Sequence, residues 1–516
     1  MKVFLLHQDR DFDPGAAPPW NEAALIQDLE LNTLFDAMAQ GDTFLRAVVQ
    51  QAILSSLTDP AILLYRQAVL RDCLANRGIV WAIYRVAVEA IEAESKQHLG
   101  IFSNHPEAIL QRSVTVVQLF VKALKTIRSI ADGHVQTFTS AGFLRLFRML
   151  DTDMDDDYFA RVQEHLRALR FRHGVLVSAR LGRGNVGIDF ILRKPHSPPG
   201  NWLTRLLGQG PPSYVFHVHP RDESGARALS ELKQRGINPA ANALAQSADH
   251  ILSFLRVLRT ELAFYLGCVN LNEQLARIGM PTCMPVPLPS QQRSLTCQGL
   301  YDVGLALNTK RRVVGNDVHA EEKSLIVVTG ANQGGKSTFL RSIGLAQLMM
   351  QCGLFVPAHV FHANVCDSVV THYKREEDRG MRSGKLDEEL ARMSAIVDRL
   401  TPNALILFNE SFAATNEREG SEIARQIALA LSERGIKLLF VTHLYEFAHA
   451  LCGAGLAGTL FLRAERRADG ERTFRMVEGE PQRTSHGEDL YRRIFGVRLA
   501  EARKAEAKER RLSPAV

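Results

Sequence analysis

Eight consecutive residues carry the clearest chemistry in the sequence: Gly330, Ala331, Asn332, Gln333, Gly334, Gly335, Lys336 and Ser337, with Thr338 behind them. They satisfy the pattern in which a glycine, after four intervening residues, is followed by Gly-Lys-Ser. Glycines so spaced let backbone N–H groups turn inward on phosphate oxygens. Lys336 would neutralise β- and γ-phosphate charge, and the Ser337 hydroxyl would ligate Mg²⁺. The chemistry this predicts is binding of ATP with Mg²⁺. Hydrolysis also needs an acid beside the metal and the attacking water. Glu410, at the end of Leu405-Ile-Leu-Phe-Asn-Glu410, is the candidate general base. Before it stands Asn409, an uncharged amide where an aspartate would serve the metal, so turnover is expected to be slow. His443, closing another apolar run after Thr442, is placed to sense the γ-phosphate.

These residues must be positioned by strands and helices. Four apolar residues lead into the loop at 325–329, and further strand-like runs lie at 405–408 and 437–442. Amphipathic patterns at 336–352, 386–400 and 420–434 read as helices between them, which implies a largely parallel sheet covered on both faces. A hairpin is expected from 458–463 and 473–477 across Ala468-Asp-Gly470. The four prolines of 281–290 read as a linker and as the best domain boundary.

Upstream, apolar residues recur at spacings of three and four from Trp20 to about Leu150, as in Leu31, Leu34 and Met38, which predicts a helical array. The acidic stretch 151–157 invites a calcium reading, but Asp156 and Val162 occupy the loop positions that require Gly and Glu, so it reads better as a helix start. Runs at 175–180 and 187–193, separated by the turn 182–185, predict a small β element, with a Pro- and Gly-rich loop at 196–213. Arg180, Arg183, Arg193, Lys194 and Arg205 make this stretch basic: a contact for phosphate backbone, or a solvated face. His217 and His219 lack a third ligand at metal spacing. Helical periodicity resumes from Ala240 to about Leu275, and 501–511 reads as a charged tail.

A length of 516 residues exceeds one core and predicts several domains. Seven scattered cysteines without a CxxC pair read as buried small residues. The formal charge of +6 is too dilute to name a polyanionic partner. No apolar run reaches the roughly 18–20 residues of a spanning helix, so a cytoplasmic protein without membrane contact is expected.

Taken together, these motifs resemble those of the MutS family of DNA mismatch repair ATPases. Thr329-Gly-Ala-Asn-Gln-Gly-Gly-Lys-Ser-Thr-Phe-Leu-Arg341 is similar to the family's phosphate loop; Phe355-Val-Pro-Ala358 with Asp367 is similar to its next segment. Phe440-Val-Thr-His-Leu-Tyr-Glu-Phe447 is similar to its histidine switch, and Asn316-Asp317 stands where the family has such a pair. Departures are Asn409 for Asp, Ala413-Ala-Thr-Asn416 for the dimer loop, and Val313 and Val314 where relatives stack an aromatic on adenine. The family's trans-acting signature can be laid on Ser383 and Glu388 without its aromatic. The Phe-x-Glu wedge that reads mismatches is not found before the helices, which begin by about Asn21.

The resemblance implies a multidomain chain: a tail to residue 20, a helical core and lever region over 21–280 with a clamp-like β insert near 174–220, a linker at 281–295, and an α/β P-loop NTPase domain over 296–500. It further implies an ATPase that works as a homodimer on duplex or branched DNA in repair or recombination, with Ser383 reaching across and without wedge-type mismatch reading. The competing expectation is a nucleotide-controlled signalling ATPase that does not touch DNA. The ATP-binding cassette class is disfavoured, because its LSGGQ-like signature is absent.

Overall fold

The computed structural model describes residues 1–98, 105–171, 174–194, 214–375, 384–456, 458–467 and 471–482. The chain divides into two compact units: Met1–Leu5 with Asn76–Leu262, and Leu6–Ala75 with Ala263–Val516. The helices α1 (Glu22–Asp28), α2 (Leu31–Ala39), α3 (Thr43–Leu54) and α4 (Pro60–Ala75) thus belong with the α/β region, whereas they were expected in a separate lever region. The reason is burial. Leu29, Leu31, Leu34, Phe35 and Met38 are all removed from solvent, and Leu29 lies so close to Gly344 that a Cβ there would meet its Cδ2 at 2.8 Å. The N-terminal segment is likewise no free tail: Leu5 and Leu6 are fully buried.

The other unit is helical: α5 (Arg77–His98), α6 (Pro106–His134), α7 (Ala141–Asp153), α8 (Asp156–Ala168) and the first part of α9 (Glu223–Ile278). On α6, Leu110, Val114, Val117, Phe120, Leu124 and Ile127 are buried at spacings of three and four, as a helix with one core-facing stripe requires. The second half of the acidic stretch starts a helix, while residues 151–153 form the last turn of α7. Asp155 caps α8 by accepting from Tyr158 N at 2.6 Å, and Asp156 and Asp157 fill the first turn, where the helix dipole favours negative charge. Strands β1 (Leu176–Leu181) and β2 (Gly187–Arg193) form the expected antiparallel hairpin. α9 begins at Glu223 and carries Pro239 inside it, whereas helical periodicity was expected to resume only at Ala240; at Gly236 it lies close to β1, where a Cβ would meet Val177 at 2.6 Å. The 196–213 loop, Arg205 and the 501–511 tail lie outside the described residues.

In the α/β unit the expected linker is instead part of a sheet. β3 (Val286–Leu288) pairs with β7 (Val360–Asn364), which pairs with β4 (Leu295–Leu300), and that with β5 (Asn316–Ala320). Proline cannot donate to a ladder, and β3 is an edge strand, so Pro285, Pro287 and Pro289 are accommodated there. A second sheet has the order β12-β11-β6-β10-β9-β8. Its parallel members are β6 (Leu325–Thr329), β8 (Val369–Tyr373), β9 (Leu405–Asn409), β10 (Lys437–Val441) and β11 (Thr459–Arg466); β12 (Arg472–Glu478) closes the edge antiparallel. Alternate residues Val327, Ile406, Phe408, Leu438 and Phe440 pack into one core with Met393 and Ile396 of α12 (Lys385–Val397), Ala424, Ala428 and Leu431 of α13 (Glu417–Glu433), and Phe447 and Leu451 of α14 (Tyr445–Gly453). The short α10 (Val303–Thr309) precedes β5. α11 (Lys336–Gln351) packs on strand residues of opposite parity, with Leu407 at its Gly344. Continuous apolar runs therefore read as strands because both faces are covered.

A Cβ at Gly344 would also meet Leu407 Cδ1 at 2.6 Å. Gly344→Val is expected to cost about 1–3 kcal/mol through overpacking, read as a lower urea midpoint; an unchanged midpoint would contradict this packing.

Candidate functional site

β6 delivers the chain into the glycine-rich loop, and the loop's geometry explains its glycines. Gly330 has φ +113°, and a Cβ there would meet Ala464 N at 2.9 Å; Gly335 caps α11 at φ +89°. Both conformations are open mainly to glycine. Lys336, the first residue of α11, folds back so that Nζ donates to Gly330 O at 2.8 Å and Ala331 O at 3.0 Å. Burial holds its pKa down at about 8, against the opposing pull of Glu410. Asn332 and Gln333 are exposed, and Gln333 accepts from Arg472 at 2.9 Å.

The parallel register of β6, β10 and β9 puts the ends of distant segments together. Ser337 Oγ donates to Asn409 Oδ1 at 2.9 Å across 72 positions of sequence. Glu410 leaves β9 at φ +54°, with its N–H on Val441 O, and its Oε1 meets His443 Nε2 at 2.7 Å. The imidazole hydrogen bond is the main reason the Glu410 carboxyl sits below the usual range. Burial opposes it, and the charges of His443, Lys336 and Lys374 assist. A carboxylate held ionised is ready to accept a proton. Of the residues singled out from sequence, the structure thus brings together Ser337 with Asn409, and Glu410 with His443, while Gly334 and Gly335 shape the loop; Ser383 lies outside the described residues.

Beside the loop a cavity of about 410 Å³ is lined by Gln333, Gly335, Thr338, Val313, Val314 and Phe474, among others. Phe474 escapes a reading of sequence, because it sits on β12 more than a hundred positions from the loop. It stands within 3.6 Å of a Cβ built on Gly335, and it brings an aromatic side chain to the cavity that Val313 and Val314 line. Asn316 pins that strand, accepting from Met476 N at 2.7 Å, while Asp317 accepts from Gly299 N at 2.6 Å. The Asn-Asp pair therefore ties the hairpin and β4 in place. In the expected dimer loop, Asn416 caps α13 by accepting from Glu419 N at 3.0 Å, and Thr415 donates to the Glu419 carboxylate.

The fold and site define an α/β domain in which a glycine-rich loop opens a helix beside the ends of parallel strands, joined in one chain to helical segments. Residues 58–278 match a family described as MutS2 N-terminal domain, and residues 326–490 match MutS domain V. The DNA mismatch repair protein MutS of Thermotoga neapolitana is 33% identical over 243 residues, 45% of this chain and 30% of that protein. Endonuclease MutS2 of Lacticaseibacillus casei is 30% identical over 257 residues, 47% of this chain and 32% of that protein. MutS of Thermus aquaticus is 32% identical over 177 residues, 34% and 22% respectively. The chain belongs to the MutS family and contains its domain V, the family's ATPase domain. It spans about a third or less of the length of these relatives. Among the described residues, no helix is long and apolar enough to cross a membrane.

Binding a polyphosphate needs Lys336 charged. Since its pKa is lowered to about 8, ATP held by Lys336 above that pH would have to bring a proton onto the amine. The dissociation constant is expected to rise with pH above about 8, by at most about tenfold per unit. Titration with a fluorescent ATP analogue at pH 7, 8 and 9 checks this, and a flat profile would exclude Lys336 as the phosphate ligand.

Proposed function

We propose that this chain is a MutS-type ATPase that binds ATP with Mg²⁺ on the 330–337 loop, hydrolyses it slowly, and uses the cycle to act as a homodimer on duplex or branched DNA in repair or recombination. The observation that carries this reading is the meeting of Lys336, Ser337, Asn409, Glu410 and His443 at the ends of three neighbouring parallel strands, in a chain that matches domain V.

The donor set fits a hard cation: Ser337 Oγ and Asn409 Oδ1 are neighbouring oxygens, and Mg²⁺ takes one or two protein oxygens beside phosphate and water. The ion, when bound, neutralises and orients the phosphates. Lys336 Nζ would exchange the Gly330 and Ala331 carbonyls for β- and γ-phosphate oxygens, trading two neutral acceptors for charged ones. The base would enter the cavity between Val313, Val314 and Phe474. Glu410 would take a proton from water as its oxygen attacks the γ-phosphorus and the bond to the ADP oxygen breaks. His443 would hold that carboxylate ionised and follow it when it turns toward the water. Because Asn409 carries no charge, metal affinity rests more on the phosphates, which makes turnover slow.

Lys336→Ala should abolish ATP binding. Glu410→Gln should keep binding, lower turnover at least about a hundredfold, and accumulate an ATP-bound dimer by mass measurement; near-wild-type turnover in both variants would sink the ATPase reading.

The DNA half rests on family kinship, since two candidate phosphate contacts already have partners: Arg180 with Asp189 at 3.6 Å and Lys194 with Glu164 at 2.6 Å. Affinity for duplex and branched DNA should fall by several log units per log unit of salt. An absence of binding at low salt would replace DNA by a protein partner, the signalling alternative.

A further inference from the structure

The turn that carries Glu410 is strained on both sides. Glu410 and Phe412, neither of them glycine, have φ of +54° and +63°, with Ser411 between. Such backbone persists only where its surroundings hold it. What holds this turn is a fully buried imidazole. His372 of β8 lies opposite Phe408 in the register and stacks on the Phe412 ring at 5.3 Å between centroids. Its Nδ1 is 2.7 Å from Ser411 Oγ, and that hydroxyl is 2.6 Å from the His372 carbonyl oxygen. A third contact runs from Nε2 to Glu389 O of α12 at 3.2 Å, while Glu389 Oε2 accepts from Phe412 N at 2.8 Å.

The protons follow from what each atom can do. A carbonyl oxygen only accepts, so the single Ser411 hydroxyl proton lies on the contact to His372 O. Ser411 Oγ is then the acceptor for Nδ1, which must carry a proton. Burial, with the Arg392 charge adding to it, keeps the ring neutral by lowering its pKa to about 4. A neutral ring has one N–H, so with Nδ1 protonated Nε2 and Glu389 O are two acceptors at 3.2 Å that form no hydrogen bond. The other tautomer would bond Glu389 O but leave Ser411 Oγ and His372 O, only 2.6 Å apart, with no proton between them, which is the costlier clash.

We propose that His372 is a positioning residue for hydrolysis: its Nδ1–H, acting through Ser411, holds the strained turn in the conformation that aims Glu410. The proposal rests on the ATPase reading above. It assigns the task to one nitrogen of one ring, which separates it from a merely structural core histidine, for which shape and burial alone would matter.

The test compares turnover with the affinity for a nonhydrolysable ATP analogue in the full chain. In His372→Asn the amide nitrogen takes the place of Nδ1; in His372→Gln it reaches the place of Nε2. His372→Gln and Ser411→Ala should each lower kcat at least about tenfold, with analogue affinity within about twofold, and the double variant should lose no more than the worse single one, since both cut one link. His372→Asn should rescue kcat to within about threefold of wild type. Equal losses in the Asn and Gln variants, multiplying losses, or analogue affinity falling in step with kcat would overturn the proposal. So would variants that no longer melt cooperatively. A wild type with no turnover would end the ATPase reading and this inference together, whereas an active wild type without the Asn–Gln contrast ends only the inference.

Discussion

The arrangement depends on burying one ammonium group. Lys336 is almost removed from water, and the two carbonyls it finds, Gly330 O and Ala331 O, belong to its own loop. Desolvating a cation is expensive unless donors are matched by acceptors. The loop must therefore curl tightly enough to turn its own oxygens onto Nζ, which is why φ is positive at Gly330, Gln333 and Gly335. It must also lie against β11, where Ala464 leaves no room for a side chain at Gly330 or Gly334. Residues more than a hundred positions downstream thus enforce the glycines of the loop. Two neutral carbonyls satisfy the ammonium without neutralising it, so the group remains a better partner for an anion than for its present contacts.

A second constraint is the register of the large sheet. Pairing Val441 with Asn409 and with Val328 ends three strands at one edge, and each strand leaves that edge toward a candidate site residue. Had β9 slipped by one residue, Phe408 would leave the core and Asn409 would enter it. Stacking of Phe408 on Phe440 at 4.6 Å, with Phe447 against Phe440, makes that slip costly. The aromatic core thus sets the 2.9 Å between Ser337 and Asn409.

Local structure was legible where each residue's surroundings repeat along the chain. The strands around 325–329, 405–408 and 437–442 are apolar throughout because both faces are buried. The β1–β2 hairpin shows two β-type runs around its turn glycines, and Asp155 announces the start of α8. What could not be read depends on distant segments. Pro285, Pro287 and Pro289 look like a linker until β7 supplies an edge to join. Residues 20–75 share the periodicity of the helices after them, and contacts with segments far away in sequence, such as Leu29 against α11 and Asn21 Nδ2 on Val369 O at 2.7 Å, assign them to the α/β unit. Phe474 and His372 carried no signal, since each acts through a neighbour far away in sequence. The loop was visible because phosphate chemistry demands a short contiguous stretch, and Glu410 and His443 because each closes an apolar run; their supports were not.

α11 links the loop to the rest of its unit because it is fixed at both ends. Its N-terminus bears Lys336 and Ser337. Near its C-terminus, Gln347 donates to Asn364 O at 2.9 Å and Gln351 to Cys366 O at 2.8 Å, and Lys437 reaches Asn364 Oδ1 at 3.0 Å. The buried Arg66 takes the next carbonyl, Cys352 O at 3.1 Å, and holds Leu6 O at 2.8 Å with another nitrogen. Buried polar networks of this kind resist gradual deformation, because a partly broken one leaves polar atoms unpaired. A helix held in this way moves as a body or stays in place. The helix that presents Lys336 and Ser337 is thereby tied at its other end, through Arg66, to the N-terminal segment at Leu6.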